Sequence, residues 1–556
     1  MKDTVSIPRD RLVFVALGGA GEIGMNLYLY GYKGKWLMVD LGISFSGDVI
    51  PSINVIMPDI RFIEERRKDI VGLVITHGHE DHLGAVPYLW SRLGCPVFAT
   101  PFAAAILESK IAEGDGGSQK IPITNVPLSH RFDIGPFNLE LITVTHSIPE
   151  PCALAIRTPV GTVLHTGDWK FDPSPLVGDI ADIGALGRVG DEGVLAMVSD
   201  STNVFVPGRS GSEAEVRDSL VKLFATCAGR IAVTCFASNV ARLTSITAAA
   251  EENHRHVALV GRSLWRVVDV ARRTGYLSEA IRFLTDDEAK FLPPDKVLYI
   301  CTGSQGEPRS ALARIAGGSH PCVGLQPGDT VIFSSRVIPG NERAIFYIQN
   351  QLVQKQIHVV TDKDHFVHVS GHPARGEMER MYGLIRPHIA IPVHGEMRHL
   401  TEHARFAASC QVPHTLVAED GVVVDLAPEG ATIIGHVPVG RLVIDGNRIM
   451  AWDAPLLRER RKLIFNGSAV VTLVVDGAGR VIGSPLLSAP GLLDPDNGGI
   501  ELGDVVVAIR AAIARVPLGA RRDDDALREA ARLAVRRSLK DTHGKKPVTD
   551  VHLVRV

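Results

Sequence analysis

Three histidines and an aspartate fall within six residues of the stretch VITHGHEDHLGAVPYLW, namely His77, His79, Asp81 and His82. An HxHxDH pattern suits chelation: His77 and His79 can hold one ion together, while Asp81 and His82 turn toward a neighbouring one. Imidazole and carboxylate donors without thiolate fit zinc or manganese in a catalytic site with open positions. A two-ion site needs further donors, and the chain offers them after apolar runs. These are His146 in LELITVTHSIPEP, Asp168 in GTVLHTGDWKFD and His394 in HIAIPVHGEMRHL. A carboxylate such as Asp168 can bridge two ions about 3.5–4 Å apart.

The elements around these residues are readable. IVGLVIT has the pattern of a buried strand and HLGAVPYLW that of a short helix, so the polar cluster sits on a strand-to-helix loop. Upstream, GAGEIG matches the GxGxxG dinucleotide fingerprint. That fingerprint needs a helix to follow, because the pyrophosphate rests on its N-terminus. Here MNLYLYGYKGKWLMVDLG follows, which predicts two strands around a Gly-Lys-Gly turn, with Asp40 closing the second. The glycines are therefore expected to form a turn between strands.

Composition bounds the rest. The 556 residues carry a net charge of -3, with 45% hydrophobic and 22% charged residues. Roughly three to four domains are expected at ~150 residues each. Nothing in the charge balance gives a global basic field, so a polyanionic partner would need local positive charge. The seven cysteines are scattered without a CxxC pair, which argues for reduced thiols and against a disulfide framework. The N-terminus lacks a basic region followed by a long apolar one, and no stretch approaches the ~18 apolar residues of a membrane span. A cytoplasmic protein with no membrane association is expected.

HxHxDH, then His146, then Asp168, after a hairpin ending in Asp40, resembles the metallo-β-lactamase fold, a four-layer αββα sandwich. More than two hundred residues separate Asp168 from His394. That insertion is similar to the one in the β-CASP nucleases, with an acidic motif VSDSTN at Asp200, HVSGHPARGE at His372 and IPVHGE at His394. GGAGEIGMN, DSTN, CFASN, TGSQGEP, HVSGH and PVHGE together resemble the ribonuclease J family, to about residue 455.

The resemblance implies roles. His77, His79 and His146 would hold one divalent ion, and Asp81, His82 and His394 a second, with Asp168 between them. The ions would be zinc, with manganese or magnesium as alternatives. Asp40 and Asp200 would orient the ligands from behind. An activated water would attack the phosphorus in line, Asp81 accepting a proton and His372 donating to a phosphate oxygen or the departing 3′-oxygen. The substrate would be single-stranded RNA with a 5′-monophosphate, cut 5′→3′ and internally, in mRNA decay and rRNA maturation. His368, Val369, Ser370, Gly371 and His372 would line the pocket for that phosphate. A small thioester or lactam substrate, DNA, and a catalytically silent scaffold are the rival readings.

The insertion itself shows four strand–loop–helix repeats, which predict a parallel sheet with helices on its faces. Ligands of such sheets bind at the carboxyl ends of the strands. The loops there offer Ser238, Asn239, Ser304, Gln305 and Gly306 to phosphate oxygens, with Arg262, Arg266, Arg336 and Arg343 on or near them. The expected α/β architecture is thus a metallo-β-lactamase domain over 1–207 and 367–450, a β-CASP domain over 208–366, a linker over 451–466 and a small α+β domain over 467–556. In the last, SAVVTLVVDGAGRVIGSPLL predicts a hairpin, and Leu527, Ala530, Ala531 and Ala534 form one apolar helix stripe. Asp523 to Asp525 suit the start of that helix. The resemblance implies that this domain assembles a homodimer or tetramer; RNA binding is its alternative role.

Overall fold

The computed structural model describes residues 7–45, 53–114, 120–338, 340–493 and 498–556. They form two compact units, one ending at Asn447 and one starting at Arg448. In the first unit, the apolar runs near the N-terminus become the strands Leu12–Gly18, Leu27–Tyr32 and Lys35–Val39, the last two forming the expected hairpin. With Ile70–Ile75, Val97–Ala99, Ile123–Asn125, Val422–Ala427 and Gly430–His436 they make an eight-stranded sheet. Seven strands between Arg131 and Thr415 make the opposing sheet.

Side chains alternate across a strand, so each sheet buries both faces only if something covers each. Phe14, Tyr28, Tyr30, Leu37 and Val39 from the first sheet meet Leu139, Leu154, Ile156, Val163 and Ile391 from the second. The helices Val86–Leu93 and Pro101–Ala112 cover the outer face of the first sheet. Ile183–Glu192, Arg375–Ile385 and Met397–Ser409 cover that of the second. The result is the expected αββα layering.

Register gathers the functional strand ends. Lys35–Val39 runs parallel to Ile70–Ile75 with Val39 opposite Val74, so Asp40 emerges beside Thr76 and His77. Gly161–His165, Ala196–Asp200 and Ile389–Val393 are mutually parallel, with Asp200 opposite Val393. Asp168, Asp200 and His394 therefore leave one edge.

The insertion folds as a six-stranded, all-parallel sheet, in the order Leu284–Thr285, His256–Val260, Val297–Cys301, Ile231–Thr234, Thr330–Phe333, His358–Val360. A buried ion pair fixes it. Arg242 lies in the helix Val240–Glu252 and is fully buried; its Nε donates to Glu213 at 3.0 Å and its Nη2 to the other carboxylate oxygen, also at 3.0 Å. Its Nη1 donates to the carbonyls of Ser334 and Val367 at 2.9 and 3.0 Å. One guanidinium thus ties a helix, a strand end and the segment leading into HVSGH.

In the second unit, Ser468–Val475 buries every second residue, pairing antiparallel with Leu486–Ser488 and parallel with Val548–Arg555. The Asp476–Gly479 turn forms and the chain returns antiparallel at once, Val481 opposite Val475 and the Ile482 amide donating to the Val474 carbonyl, before Leu486–Ser488 pairs further along. The helix Asp524–His543 buries Leu527, Ala531 and Ala534, and Asp523 caps it by accepting from the Asp525 amide. The segment expected as a linker over 451–466 contains the helix Pro455–Asn466. Its charged residues are mostly Arg, Glu and Lys, which are good helix formers, and Pro455 sits at its first turn. All seven cysteines are free, and no helix among the described residues is long and apolar enough to cross a membrane.

Arg242→Met leaves Glu213 buried without its partner. It is expected to cost about 3–5 kcal/mol, read as a lower urea midpoint for the first unit. Adding Glu213→Gln to that variant should restore part of the loss; a double variant as unstable as the single one would refute the pairing.

Candidate metal centre

The structure brings all seven sequence-predicted ligand residues together. Ligand atoms of His77, His79, His146 and Asp168 lie within 4.8 Å of one another, as do those of Asp81, His82, Asp168 and His394. Asp168 belongs to both groups. Its Oδ2 lies 3.9, 3.6, 3.3 and 3.5 Å from the Nε2 atoms of His77, His146, His82 and His394. His79 Nδ1 sits 3.0 Å from His77 Nε2 and 3.1 Å from His146 Nε2. Asp81 is the most exposed carboxylate of the set at 32%, against 3% for Asp168. Asp81 and His82 lie in the first turn of the short helix Glu80–Leu83 rather than on the preceding loop.

What the outer edges of these rings touch decides what the inner edges can do. His82 Nδ1 donates to Asp40 at 2.7 Å. His146 Nδ1 donates to the Gly371 carbonyl at 2.6 Å, and His394 Nδ1 to Asn26 Oδ1 at 2.9 Å. The Thr76 hydroxyl donates to Asp40, so its 3.0 Å contact with His77 Nδ1 makes it the acceptor there. Four rings thereby commit their Nδ1–H outward and turn Nε2 inward. Such partners are what fix the tautomer of a metal-binding histidine. A nitrogen of His79 3.0–3.1 Å from those of His77 and His146, beside a carboxylate, suits an ion with Zn–N bonds of ~2.0–2.1 Å. The donor set fits a pair of divalent cations.

Electrostatics agrees. Burial, reinforced by neighbouring histidines, holds His77 and His146 well below the ordinary imidazole range, and burial lowers His79 to about 4. Burial opposes the charge of His82, but Asp168, Asp81 and Asp40 outweigh it and hold that ring well above the usual range. Burial likewise opposes the charge on Asp168, yet His394, His82 and His372 keep it well below the carboxylate range. His372 stands at the rim, its Nδ1 donating to Asp200 at 2.7 Å. Burial works against its proton, but Asp200 and Asp168 outweigh it and raise the ring to about 9. Asp200 is itself held by the amide and hydroxyl of Thr202.

Sequence reasoning missed Asn26. Its carboxamide donates to the Asp81 carbonyl at 2.9 Å, accepts from His394 and Tyr28, and lies 3.1 Å from His82 Nε2. The glycine turn makes room for this: a Cβ on Gly19 would come within 2.4 Å of Asn26 Oδ1 and of the Tyr28 hydroxyl, and its φ is +87°. The dinucleotide fingerprint is thus a support for His394, whose amide also donates to the Gly19 carbonyl at 2.6 Å.

Most of the expected substrate contacts carry internal roles in this structure. Asn239 is buried, caps the helix Val240–Glu252 and donates to Glu213, so both ends of its amide are used. Gln305 is buried and braces its loop, donating to the Arg336 carbonyl and accepting from the Ile338 amide. Ser304 is also buried, and Gly306 packs against Ala344. Ser238 is half-buried. Val369 lies in the core, and Ser370 accepts from Asn203 and from the His372 amide, so these two shape the loop. Gly371 contributes its carbonyl to His146; a Cβ there would lie 2.7 Å from that ring. His368 has a buried Nδ1 without a hydrogen-bond partner, and burial together with Arg242, Arg336 and Lys170 holds its pKa well down. Arg266 is tied to Glu113, whereas Arg262, Arg336 and Arg343 are exposed.

Comparison with known proteins adds to this geometry. Residues 21–226 match the metallo-β-lactamase superfamily and 228–352 the β-CASP domain of ribonuclease J. Residues 356–410 match the Zn-dependent metallo-hydrolase RNA specificity domain, and 455–556 the ribonuclease J C-terminal domain. The chain is 45% identical to the ribonuclease J of Sinorhizobium meliloti over 98% of both chains. It is 41% identical to that of Mycobacterium tuberculosis over 86% of each. It is 35% identical to that of Thermus thermophilus, covering 84% of this chain and 82% of that one. A solved protein of unknown function from Enterococcus faecalis aligns with a TM-score of 0.55 and 16% identity, covering 75% of this chain and all of that one, a likeness of fold alone.

Asn26→Ala removes a group that touches three of the clustered residues. It is expected to weaken zinc binding roughly 10–100-fold, measured by competition with a chromophoric chelator. Gly371→Ala, pressing on His146, should act in the same direction; unchanged affinity in both would show that these supports are not needed.

Proposed function

Because the chain belongs to the ribonuclease J family, we propose that it is a metal-dependent ribonuclease that hydrolyses single-stranded RNA. In this reading it works 5′→3′ from monophosphate ends, also cuts internally, and leaves 5′-phosphates. The observation that carries the reading is the convergence of bare imidazole nitrogens and two carboxylates on one buried point, with His372 and Asp200 beside it.

His77, His79 and His146 would hold one divalent cation and Asp81, His82 and His394 the other, with Asp168 between them. Zinc fits the donors, and manganese or magnesium could serve in turnover. Bound there, the cations supply Lewis-acid neutralisation of phosphate charge and an acidified water at neutral pH. The chain's own groups do the rest. Asp81 is exposed enough to accept a proton from the attacking water. His372 has Nδ1 fixed by Asp200, whose charge favours the protonated ring, so it would donate from its other edge to a non-bridging oxygen or the departing 3′-oxygen. Arg336, exposed near His368, supports an anionic 5′-end on this side. The C-terminal unit would mediate self-association, a role supported by its match to the family's C-terminal domain.

Internally labelled single-stranded RNA carrying a 5′-mono- or triphosphate tests this, with wild type and Asp81→Ala compared under zinc, manganese and magnesium. Mononucleotide release from the monophosphate form is expected. Asp81→Ala should lower it by at least about 100-fold, the upper end of what losing a mere supporting partner costs. Absence of RNA cleavage with every metal, alongside turnover of a thioester or lactam, would overturn the reading.

A further inference from the structure

Two segments leave the metal centre and meet again on the surface. One runs from Asp200 through Ser201–Val206; the other continues from His394 into the helix Met397–Ser409. They are clasped at their roots, where Thr202, its hydroxyl proton directed to Asp200, lies 3.3 Å from the His394 carbonyl. Beyond the clasp they enclose an open cleft of about 460 Å³ lined by Phe205, Met397, Arg398, Thr401, Glu402 and Arg405.

The lining is unusual for a water-facing surface. Phe205 is 51% exposed and Met397 38% exposed, side by side. Single exposed apolar residues are ordinary, but a ring held rigidly beside a second apolar group and cations is not. The Phe205 ring packs edge-on against His399 with centroids 5.4 Å apart, and the Arg398 guanidinium stands 5.9 Å from its centroid. His399 is nine-tenths buried, and its Nδ1 makes no hydrogen bond. The backbone on either side of Phe205 is pinned. The Val206 amide donates to the Asn203 carbonyl, the Arg375 amide donates to the Val206 carbonyl, and Asn203 bonds Ser370 and the His372 carbonyl. The ring is therefore positioned by the same bonds that position the motif around His372.

We propose that this cleft is a base-stacking subsite for an unpaired nucleotide of the RNA strand flanking the cleavage point. It rests on the ribonuclease reading above. Single-stranded nucleic acid is held where aromatic faces meet arginine beside a backbone track, and every base has a π-face to offer. Charge fits: Arg375, Arg398 and Arg405 stand against Glu396 and Glu402, which pair with them at 2.9–4.0 Å and leave one positive charge over. Distance fits too, since Met397 is three residues beyond His394, at most about 11 Å along the backbone. An RNA seated at the metals has its neighbouring nucleotides at this range.

The test is a cycle of protein and substrate changes. Affinity for a single-stranded RNA is measured in an Asp81→Ala background, with and without Phe205→Ala, for oligonucleotides carrying one abasic residue at each position in turn. Zinc content and melting temperature, compared between the two proteins, serve as controls that Phe205→Ala leaves the fold and the centre as they are in the Asp81→Ala parent. Phe205→Ala should weaken binding of intact RNA roughly 5- to 150-fold. One abasic position should cost the Phe205 protein a similar factor and the Phe205→Ala protein almost nothing. Phe205→Trp should retain affinity where Phe205→Leu does not. RNA binding that is tight and indifferent to Phe205→Ala, or an abasic effect that persists without the ring, would overturn the subsite alone. Failure of the Phe205 protein to bind RNA at all would overturn both the subsite and the ribonuclease reading beneath it.

Discussion

The site is organised around a repulsion that the polypeptide relieves only in part, through the proton that Asp168, Asp81 and Asp40 favour on His82. Imidazole lone pairs and two carboxylates face one another at about 3–4 Å in a pocket largely closed to water. Their outward N–H groups are already committed, and burial holds His77, His79 and His146 against taking up protons. A divalent cation resolves such an arrangement directly, because each inward lone pair becomes a ligand. The surrounding structure keeps the donors from turning away. Asp40 and His394 both sit in the left-handed backbone region, at φ of 61° and 52°, which costs roughly 1–2 kcal/mol each for a residue with a Cβ. Both are tied in place, Asp40 through its amide to Val74 and His394 to Gly19. Strain of this kind persists where neighbours over-determine the backbone.

The donors were legible in the sequence, as were Asp40 and Asp200 behind His82 and His372, and the other supports were not. Histidine and aspartate after apolar runs mark strand ends, and parallel strands align those ends along one edge, so a short sequence pattern translates into a cluster. Asn26 reaches His394 across 368 residues, and the Gly371 carbonyl reaches His146 across 225. No local periodicity encodes such contacts. Gly19 illustrates the same limit. Its motif was visible and the strands after it ruled out the dinucleotide role, yet the reason for the glycine lies in the room Asn26 and Tyr28 need.

The insertion taught the opposite lesson. Its alternating strands and helices were readable from periodicity, and the parallel sheet followed. The polar residues at its strand ends looked available for phosphate, but a helix start has orphan amides and a tight loop has orphan carbonyls, and these are satisfied first. Asn239 and Gln305 are used in that way. A polar residue at a strand end is thus free for a ligand only when the local backbone does not already need it. His368, with a buried Nδ1 that has no hydrogen-bond partner, meets that condition better than Asn239 or Gln305.

A net charge of -3 leaves such a protein little long-range attraction for a polyanion. Several of its arginines are further spent inside the fold, Arg242 on Glu213 and Arg266 on Glu113. Local charge, the proposed cations and short-range contacts must then carry recognition. Stacking on a fixed ring is short-range, tolerant of sequence and little weakened by salt. It also requires an unpaired base, because a duplex keeps its π-faces covered. An exposed phenylalanine clasped beside the centre would therefore help an almost neutral protein select single strands without reading their sequence.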